Sequence, residues 1–134
     1  MNYRYDNRYE YDMTQACLEY GFIASEDFWN YPDILRWNVW NGLGAKGHKW
    51  NCLIPNTVWG VNITLASLPH DVECHLATME REWQIANLHF LFNMNRIVRQ
   101  HSSTAFMRNL RYLRTHKYYM AVESDIGRRA CLDQ

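Results

Sequence analysis

A run of apolar residues at helical spacing between residues 82 and 100 constrains the fold more than any other feature. The members of this stripe are three or four positions apart, as on one side of a helix: Phe90, Leu91, Met94, Ile97 and Val98. Such a stripe has to be buried against other elements. Asn87 falls on the same side and is therefore predicted to point inward.

Two further helices are predicted around this one. Ser67 can cap a helix that begins at Leu68, with Pro69 tolerated in its first turn, and that extends to about residue 80. After the break at residues 102–104, a last helix extends to about Val122. Its inner face is predicted to consist of Phe106, Leu110, Leu113 and Tyr118 or Met120. Near the N-terminus, a short helix over 12–22 is expected to end near Gly21, and another to follow Ser25.

The 134 residues suit one domain. We predict a Tyr-rich N-terminal arm over 1–15, a helical domain over 16–127 and a tail over 128–134, with Gly127 ending the ordered region. Residues 41–60 hold four of the six glycines and form a predicted loop of about 20 residues. Because Trp50, Val58 and Trp59 make this loop too apolar for free solvation, we expect it to be pinned to the core.

Charge is balanced overall but not along the chain. Fourteen Lys and Arg match fourteen Asp and Glu, so no strong net charge indicates a nucleic-acid or membrane partner. Residues 1–35 are acidic, whereas residues 96–117 contain six bases and no acid. The basic residues of the last helix, Arg108, Arg111, Arg114 and Lys117, repeat every third position. They are expected to form a solvated face, or to contact the acidic half, anionic lipid or nucleic acid.

Cysteines and targeting patterns add less. The four cysteines, at 17, 52, 74 and 131, fit no zinc module, and we expect free thiols, with two disulfides as the alternative. Neither a signal peptide nor a transmembrane segment is apparent, which predicts synthesis in the cytoplasm. A transition metal on one helix face is a further alternative, with the pairs Asp71/His75 and His70/Cys74 and additional ligands among His48, Cys52 and His89.

The residues best suited to chemistry are a glycine-rich turn at 40–44 and the later pair His70-Asp71. Glycines let several backbone carbonyls converge, and carbonyls with one carboxylate suit a hard cation such as Ca²⁺. A histidine beside that carboxylate can deprotonate water next to the metal. Each piece alone is common in proteins, and only their order along the chain is informative.

That order resembles the phospholipase A2 fold. The turn Trp40-Asn41-Gly42-Leu43-Gly44 is similar to the family's calcium loop, His70-Asp71 to its His-Asp dyad, and Ala86-Asn87-Leu88-His89-Phe90 to its second helix. Small phage and prophage proteins with this fold are the nearest in pattern, with counterparts of Ile54-Pro55, Gly60, Asn93 and the segment 118–122. The resemblance covers residues 38–127. It implies a mainly α fold of two antiparallel helices (about 68–80 and 82–100), a basic third helix and a long Gly-rich loop.

The resemblance also implies roles. Asp71 and the carbonyls of Trp40, Gly42 and Gly44 would hold Ca²⁺, and His70 would be the general base that activates water against a glycerophospholipid ester. Asn87 stands where the family has the Asp that orients the dyad His. The implied protein is a phage-type lipid esterase of the host cytoplasm or the virion, acting at a phospholipid membrane surface. Trp37, Trp50 and Trp59 are candidate anchors at such a surface, with packing in the core as the alternative for most of them.

Several departures favour a weakened or silent site. Asn87 has no negative charge to stabilise an imidazolium, although it can accept a hydrogen bond and hold one tautomer. Cys74 replaces a supporting Tyr, and Ala66-Ser67 replace the paired cysteines before the dyad. The alternative function is therefore a non-catalytic phage protein on the same scaffold that binds a host or virion protein. Nucleic acid is the least supported partner.

Overall fold

The structure of the protein, a computed structural model, describes residues 7–32, 35–36, 39–40 and 57–133, and only the backbone for residues 7–12. The described chain is mainly helical, as predicted. In order it contains α1 (Asn7–Tyr20), α2 (Glu26–Asn30), β1 (Thr57–Val58), β2 (Val61–Asn62), a 3₁₀ turn (Thr64–Ala66), α3 (Ser67–Leu76), α4 (Glu80–His101), α5 (Ala105–Val122) and α6 (Asp125–Leu132).

α4 is the central element, and α3 and α5 pack on it more extensively than any other pair of elements. Only residues 77–79 connect α3 to α4, and a connection this short reverses the direction of the chain. The two helices therefore form a helical hairpin. The predicted stripe is buried, including Phe90, Met94 and Ile97. Glu80 and Glu82 in its first turn and Arg99 in its last complement the helix dipole.

α1 ends as the sequence predicts. Gly21 adopts φ +71°, its N–H donates to the Leu18 carbonyl, and the Phe22 N–H donates to the Cys17 carbonyl. This is the left-handed glycine cap that closes many helices. Asn93 of α4 then holds the next residue, because its amide accepts from the N–H and donates to the carbonyl of Ile23, both at 2.8 Å. The helix begins at Asn7, five residues before the predicted start.

The end of the predicted glycine-rich loop is a β-hairpin. β1 and β2 pair antiparallel, and the turn residues Trp59 and Gly60 both have positive φ, which matches the twist of paired strands. Val58 is buried, so this part is pinned to the core as predicted. Residues 41–56, which include Gly42, Gly44, His48, Trp50 and Cys52, lie outside the described residues, as does Trp37.

α5 has the predicted bounds but not the predicted inner face. Thr104 caps it by accepting from the Met107 N–H. The residues that face the core are Thr115, Tyr118 and Val122, whereas Phe106, Leu113 and Met120 are exposed. The prediction is therefore wrong for Phe106 and Leu113, and of its two alternatives for the last position the structure buries Tyr118 and exposes Met120.

The chain continues as α6 where the sequence predicts the end of the ordered region. Gly127 lies inside this helix and is buried against α5, where an added Cβ would lie 2.2 Å from the Val122 carbonyl oxygen. Cys131 of α6 forms a disulfide with Cys74 of α3, with their Cα atoms 4.9 Å apart. The prediction of four free thiols is wrong for this pair. Cys17 is a free buried thiol, and burial raises its pKa to about 12.

Candidate functional site

His70 lies on the first turns of α3 and points into the helical hairpin. Its side chain is 3 % exposed, and its ring stacks on Phe90 of α4 with 4.7 Å between centroids. Ser67 does not cap α3 as the sequence predicts. Its hydroxyl does not cap a backbone N–H but donates to the Thr64 carbonyl at 2.6 Å, so the preceding 3₁₀ turn leads directly into α3.

The structure brings His70 and Asn87 together across the hairpin. His70 Nε2 lies 2.8 Å from Asn87 Oδ1, and both side chains are buried. The Asn87 Nδ2 group donates to the Val122 carbonyl at 3.3 Å and to Glu123 Oε2 at 3.0 Å. These acceptors orient the amide so that its oxygen faces the histidine. An amide oxygen only accepts, so Nε2 carries the proton and Nδ1 of the neutral ring presents a lone pair.

Beyond Asn87 the network reaches a carboxylate and a phenol. Glu123 Oε1 accepts from the Tyr119 hydroxyl at 2.6 Å, and this hydrogen bond raises the pKa of Tyr119 to about 12. Trp83 also donates to the Val122 carbonyl, at 3.1 Å. The carboxylate of Glu123 therefore reaches His70 only through the Asn87 amide. Sequence reasoning missed Glu123, although the spacing of four between Tyr119 and Glu123 on a helix was a usable signal.

Asp71 follows His70 on α3 and is partly exposed. Its Oδ1 lies 3.9 Å from His70 Nδ1, which is too long for a hydrogen bond, and the two groups attract each other only when the ring is protonated. The carboxylate is therefore adjacent to the nitrogen that carries the lone pair. This is the side of the imidazole on which a general base would take a proton from water.

Trp40 is the only predicted Ca²⁺ ligand of the glycine-rich turn among the described residues, since Gly42 and Gly44 lie outside them. Its buried indole donates from Nε1 to the Ser67 hydroxyl at 2.8 Å. The start of the turn is thus tied to the start of the helix that carries His70 and Asp71. Within the described ranges no three His, Cys, Asp or Glu side chains are grouped for a metal.

The transition-metal alternative is not supported. Cys74 is engaged in its disulfide, so it offers no thiolate beside His70, although its sulfur lies 3.8 Å from His70 Nε2. His75 is exposed. His89 is occupied by Glu73, 2.9 Å away.

The Glu73–His89 pair is a second polar cluster that the sequence did not indicate. Glu73 is buried and also accepts from the Ser25 N–H at 3.3 Å, which ties the start of α2 to the hairpin. The carboxylate borders a cavity of about 190 Å³ that is also lined by Asp27, Glu82 and Ile85. Its hydrogen bonds give it a structural role.

Comparisons with protein-family models, with curated proteins and with solved structures give no match for this chain. Across the described residues, no helix is both long and apolar enough to cross a bilayer.

Proposed function

We propose that the protein is a Ca²⁺-dependent lipid esterase of the phospholipase A2-like, phage type, with His70 as general base. The observation that carries the proposal is the 2.8 Å contact between His70 Nε2 and Asn87 Oδ1. It joins the two helices at the two positions that the resemblance pairs. Asn87 is the residue that departs from the family pattern, yet it still makes the orienting hydrogen bond.

The proton positions support base catalysis. With Nε2 donating to Asn87, the lone pair of Nδ1 can accept a proton from a water molecule as that water attacks the ester carbonyl. The imidazolium that forms would be stabilised by Asp71 at 3.9 Å and, through Asn87, by Glu123. A charge held one hydrogen bond away stabilises a cation less than a carboxylate in direct contact, so we expect a slow enzyme.

The calcium part of the proposal rests on oxygen chemistry. Asp71 and the backbone carbonyls of Trp40, Gly42 and Gly44 form an all-oxygen donor set, which suits Ca²⁺. When bound there, the ion would polarise the ester carbonyl. The Trp40–Ser67 hydrogen bond supports the proximity of the turn to Asp71.

The test is release of fatty acid from phospholipid vesicles with Ca²⁺ or with a chelator. We expect hydrolysis that requires Ca²⁺ and is lost in His70→Asn. The matched control is His89→Asn, which removes another interhelical histidine that pairs with Glu73 rather than with Asn87. Absence of hydrolysis at high protein concentration, or equal activity of His70→Asn and the wild type, would refute the proposal.

Calorimetric titration with Ca²⁺ tests the metal site separately. Asp71→Asn should abolish the binding heat while leaving the fold intact, since Asp71 is partly exposed. Equal binding heat for the wild type and Asp71→Asn would remove Asp71 from the ligand set.

The second candidate is a non-catalytic phage protein that binds a host or virion protein. The neutral amide of Asn87 and the 3 % exposure of His70 favour it, because a buried histidine whose hydrogen-bond partner is neutral also serves as a structural link. Retention of a defined partner by both the wild type and His70→Asn, without hydrolysis by either, would support this candidate. Residues 1–6 can be deleted in that assay without cutting into α1.

A further inference from the structure

The face of α5 that points away from the core carries large apolar side chains. Phe106, Leu113 and Met120 repeat every seven residues and are 73 %, 65 % and 61 % exposed. A spacing of seven is close to two helical turns, so the three side chains form one row. We call this row the outer ridge. Water-exposed residues of this size in a row are unusual in a protein that has no further contacts.

Trp59 lies beside the outer ridge and adds to its apolar surface. It lies at the tip of the β-hairpin, is 49 % exposed, and has the Arg114 guanidinium 5.2 Å above its ring. That cation–π contact holds the indole beside α5. Arg111 supports the same arrangement by donating to the Trp59 carbonyl from Nε and Nη2, at 3.3 and 3.0 Å.

The Lys, Arg, Asp and Glu side chains within α5 itself are all of one sign. α5 contains three Arg and one Lys and not a single Asp or Glu. Arg111 is used within the fold, whereas Arg114 and Lys117 are exposed, and Lys117 lies between the turns of Leu113 and Met120. Among the described residues, no carboxylate forms an ion pair with either of them.

An exposed apolar row beside positive charge favours an anionic bilayer over a second copy of the protein as the binding partner. If two copies met through their outer ridges, Arg114 and Lys117 of both would approach each other with no acid on either helix to compensate. An anionic bilayer instead accepts apolar side chains below its headgroups and pairs the flanking cations with phosphate. Tryptophan is typical of that boundary.

We propose that the outer ridge of α5, together with Trp59, docks the protein on the surface of an anionic phospholipid bilayer, with the helix lying in the plane of the membrane. The inference does not depend on catalysis by His70. It goes beyond the proposed function, since it assigns a surface on a different helix from the one that carries the dyad.

The test is co-sedimentation with vesicles of phosphatidylcholine, with and without phosphatidylglycerol. We expect wild-type protein to bind the anionic vesicles, and Leu113→Gln to weaken that binding roughly tenfold. The matched control is Leu88→Gln on α4, which removes an equally large side chain that is 53 % exposed, and which should bind as the wild type does. Lys117→Glu should weaken binding, most strongly at low salt.

Three results would overturn the inference: no binding of the wild type to anionic vesicles, equal binding to both vesicle types, or an equal loss in Leu88→Gln. A dimer in solution that dissociates in Leu113→Gln would assign the outer ridge to self-association instead. The His70→Asn variant separates this inference from the proposed function, because its vesicle binding should be unchanged while its hydrolysis is lost. Conversely, Leu113→Gln should still hydrolyse a dispersed short-chain ester.

Discussion

The Asn87 amide donates to Glu123 Oε2 at 3.0 Å, and this bond decides what Asn87 can do for His70. Because the NH₂ group is held by Glu123 and by the Val122 carbonyl, the oxygen can only turn toward His70 Nε2. The network therefore provides the orientation expected of an aspartate at position 87 but keeps the charge at a distance. Orientation and charge, which one carboxylate would supply together, are divided between two residues.

If the proposed esterase function holds, moving that charge should accelerate hydrolysis. In the double variant Asn87→Asp/Glu123→Gln, a single carboxylate lies against His70 Nε2, and the amide at position 123 can donate to it. Trp83 still donates to the Val122 carbonyl. We expect the rate of phospholipid hydrolysis to rise roughly tenfold or more, since charge in direct contact stabilises the imidazolium best.

The single variant Asn87→Asp is the matched control for that experiment. It places two carboxylates within hydrogen-bond distance, which raises the pKa of one of them and weakens the gain. It should therefore fall between the wild type and the double variant. An unchanged rate in a double variant whose circular dichroism matches the wild type would show that the missing charge does not limit the reaction.

Tyr119 should make stability depend on alkaline pH. Its hydrogen bond to Glu123 raises the pKa in the folded state from 10.0 to about 12. The contribution to stability is therefore complete below pH 10 and is lost as the pH rises toward 12. Tyr119→Phe should lower the free energy of unfolding by about 1 kcal/mol at neutral pH, and the difference from the wild type should shrink across that interval.

Urea unfolding at a series of pH values measures this, and Tyr112→Phe on the same helix is the control. Tyr20 and Tyr118 also have raised pKa values, mainly through burial, so the difference between wild type and variant carries the information rather than either curve alone. A difference that stays constant up to pH 12 would contradict the role assigned to the Tyr119 hydroxyl.

The sequence was sufficient to predict a helix and its buried side where the buried residues form a single periodic stripe. α4 is such a case, because one side carries Phe90, Met94 and Ile97 while most of the remaining positions are polar, and its bounds follow within two residues. α5 carries two candidate faces. The one that is buried includes Thr115, whose hydroxyl is satisfied by Asn95 Oδ1 at 2.6 Å, a partner on another helix that no local pattern reveals.

The candidate site, too, could be predicted from the sequence only in part. The inward direction of Asn87 followed from its place on the stripe, whereas the pairing of His70 with Asn87 was implied by the resemblance to the phospholipase A2 fold. The spacing of four signals the pairing of Glu123 with Tyr119, but the contact of Glu123 with Asn87, 36 positions away, arises from the packing of α5 on α4 and has no local signal. Gly127 was misinterpreted because glycine ends helices and also permits close approach, and only the position of the Val122 carbonyl distinguishes the two.

The Cys74–Cys131 disulfide should be a large part of the stability of α6. It closes a separation of 57 residues, and the chain-entropy model assigns such a cross-link about 4 kcal/mol. We expect a reductant, or the double variant Cys74→Ser/Cys131→Ser, to lower the midpoint of urea unfolding. The reductant should have no effect on the double variant. A wild-type midpoint that is equal with and without the reductant would contradict the prediction.

Gly127→Ala should damage both the fold and the site, because its effect passes through Val122. The added methyl group would lie 2.2 Å from the Val122 carbonyl oxygen, which accepts from both Asn87 and Trp83. Backbone cannot yield as a flexible side chain does, so α6 has to move, at a cost of about 1–3 kcal/mol.

The control is Ile126→Ala, which alters the neighbouring exposed position and should cost far less. Urea unfolding gives the stability change, and the ring signals of His70 in NMR spectra report the site. A Gly127→Ala variant as stable as Ile126→Ala would show that α6 does not press on Val122.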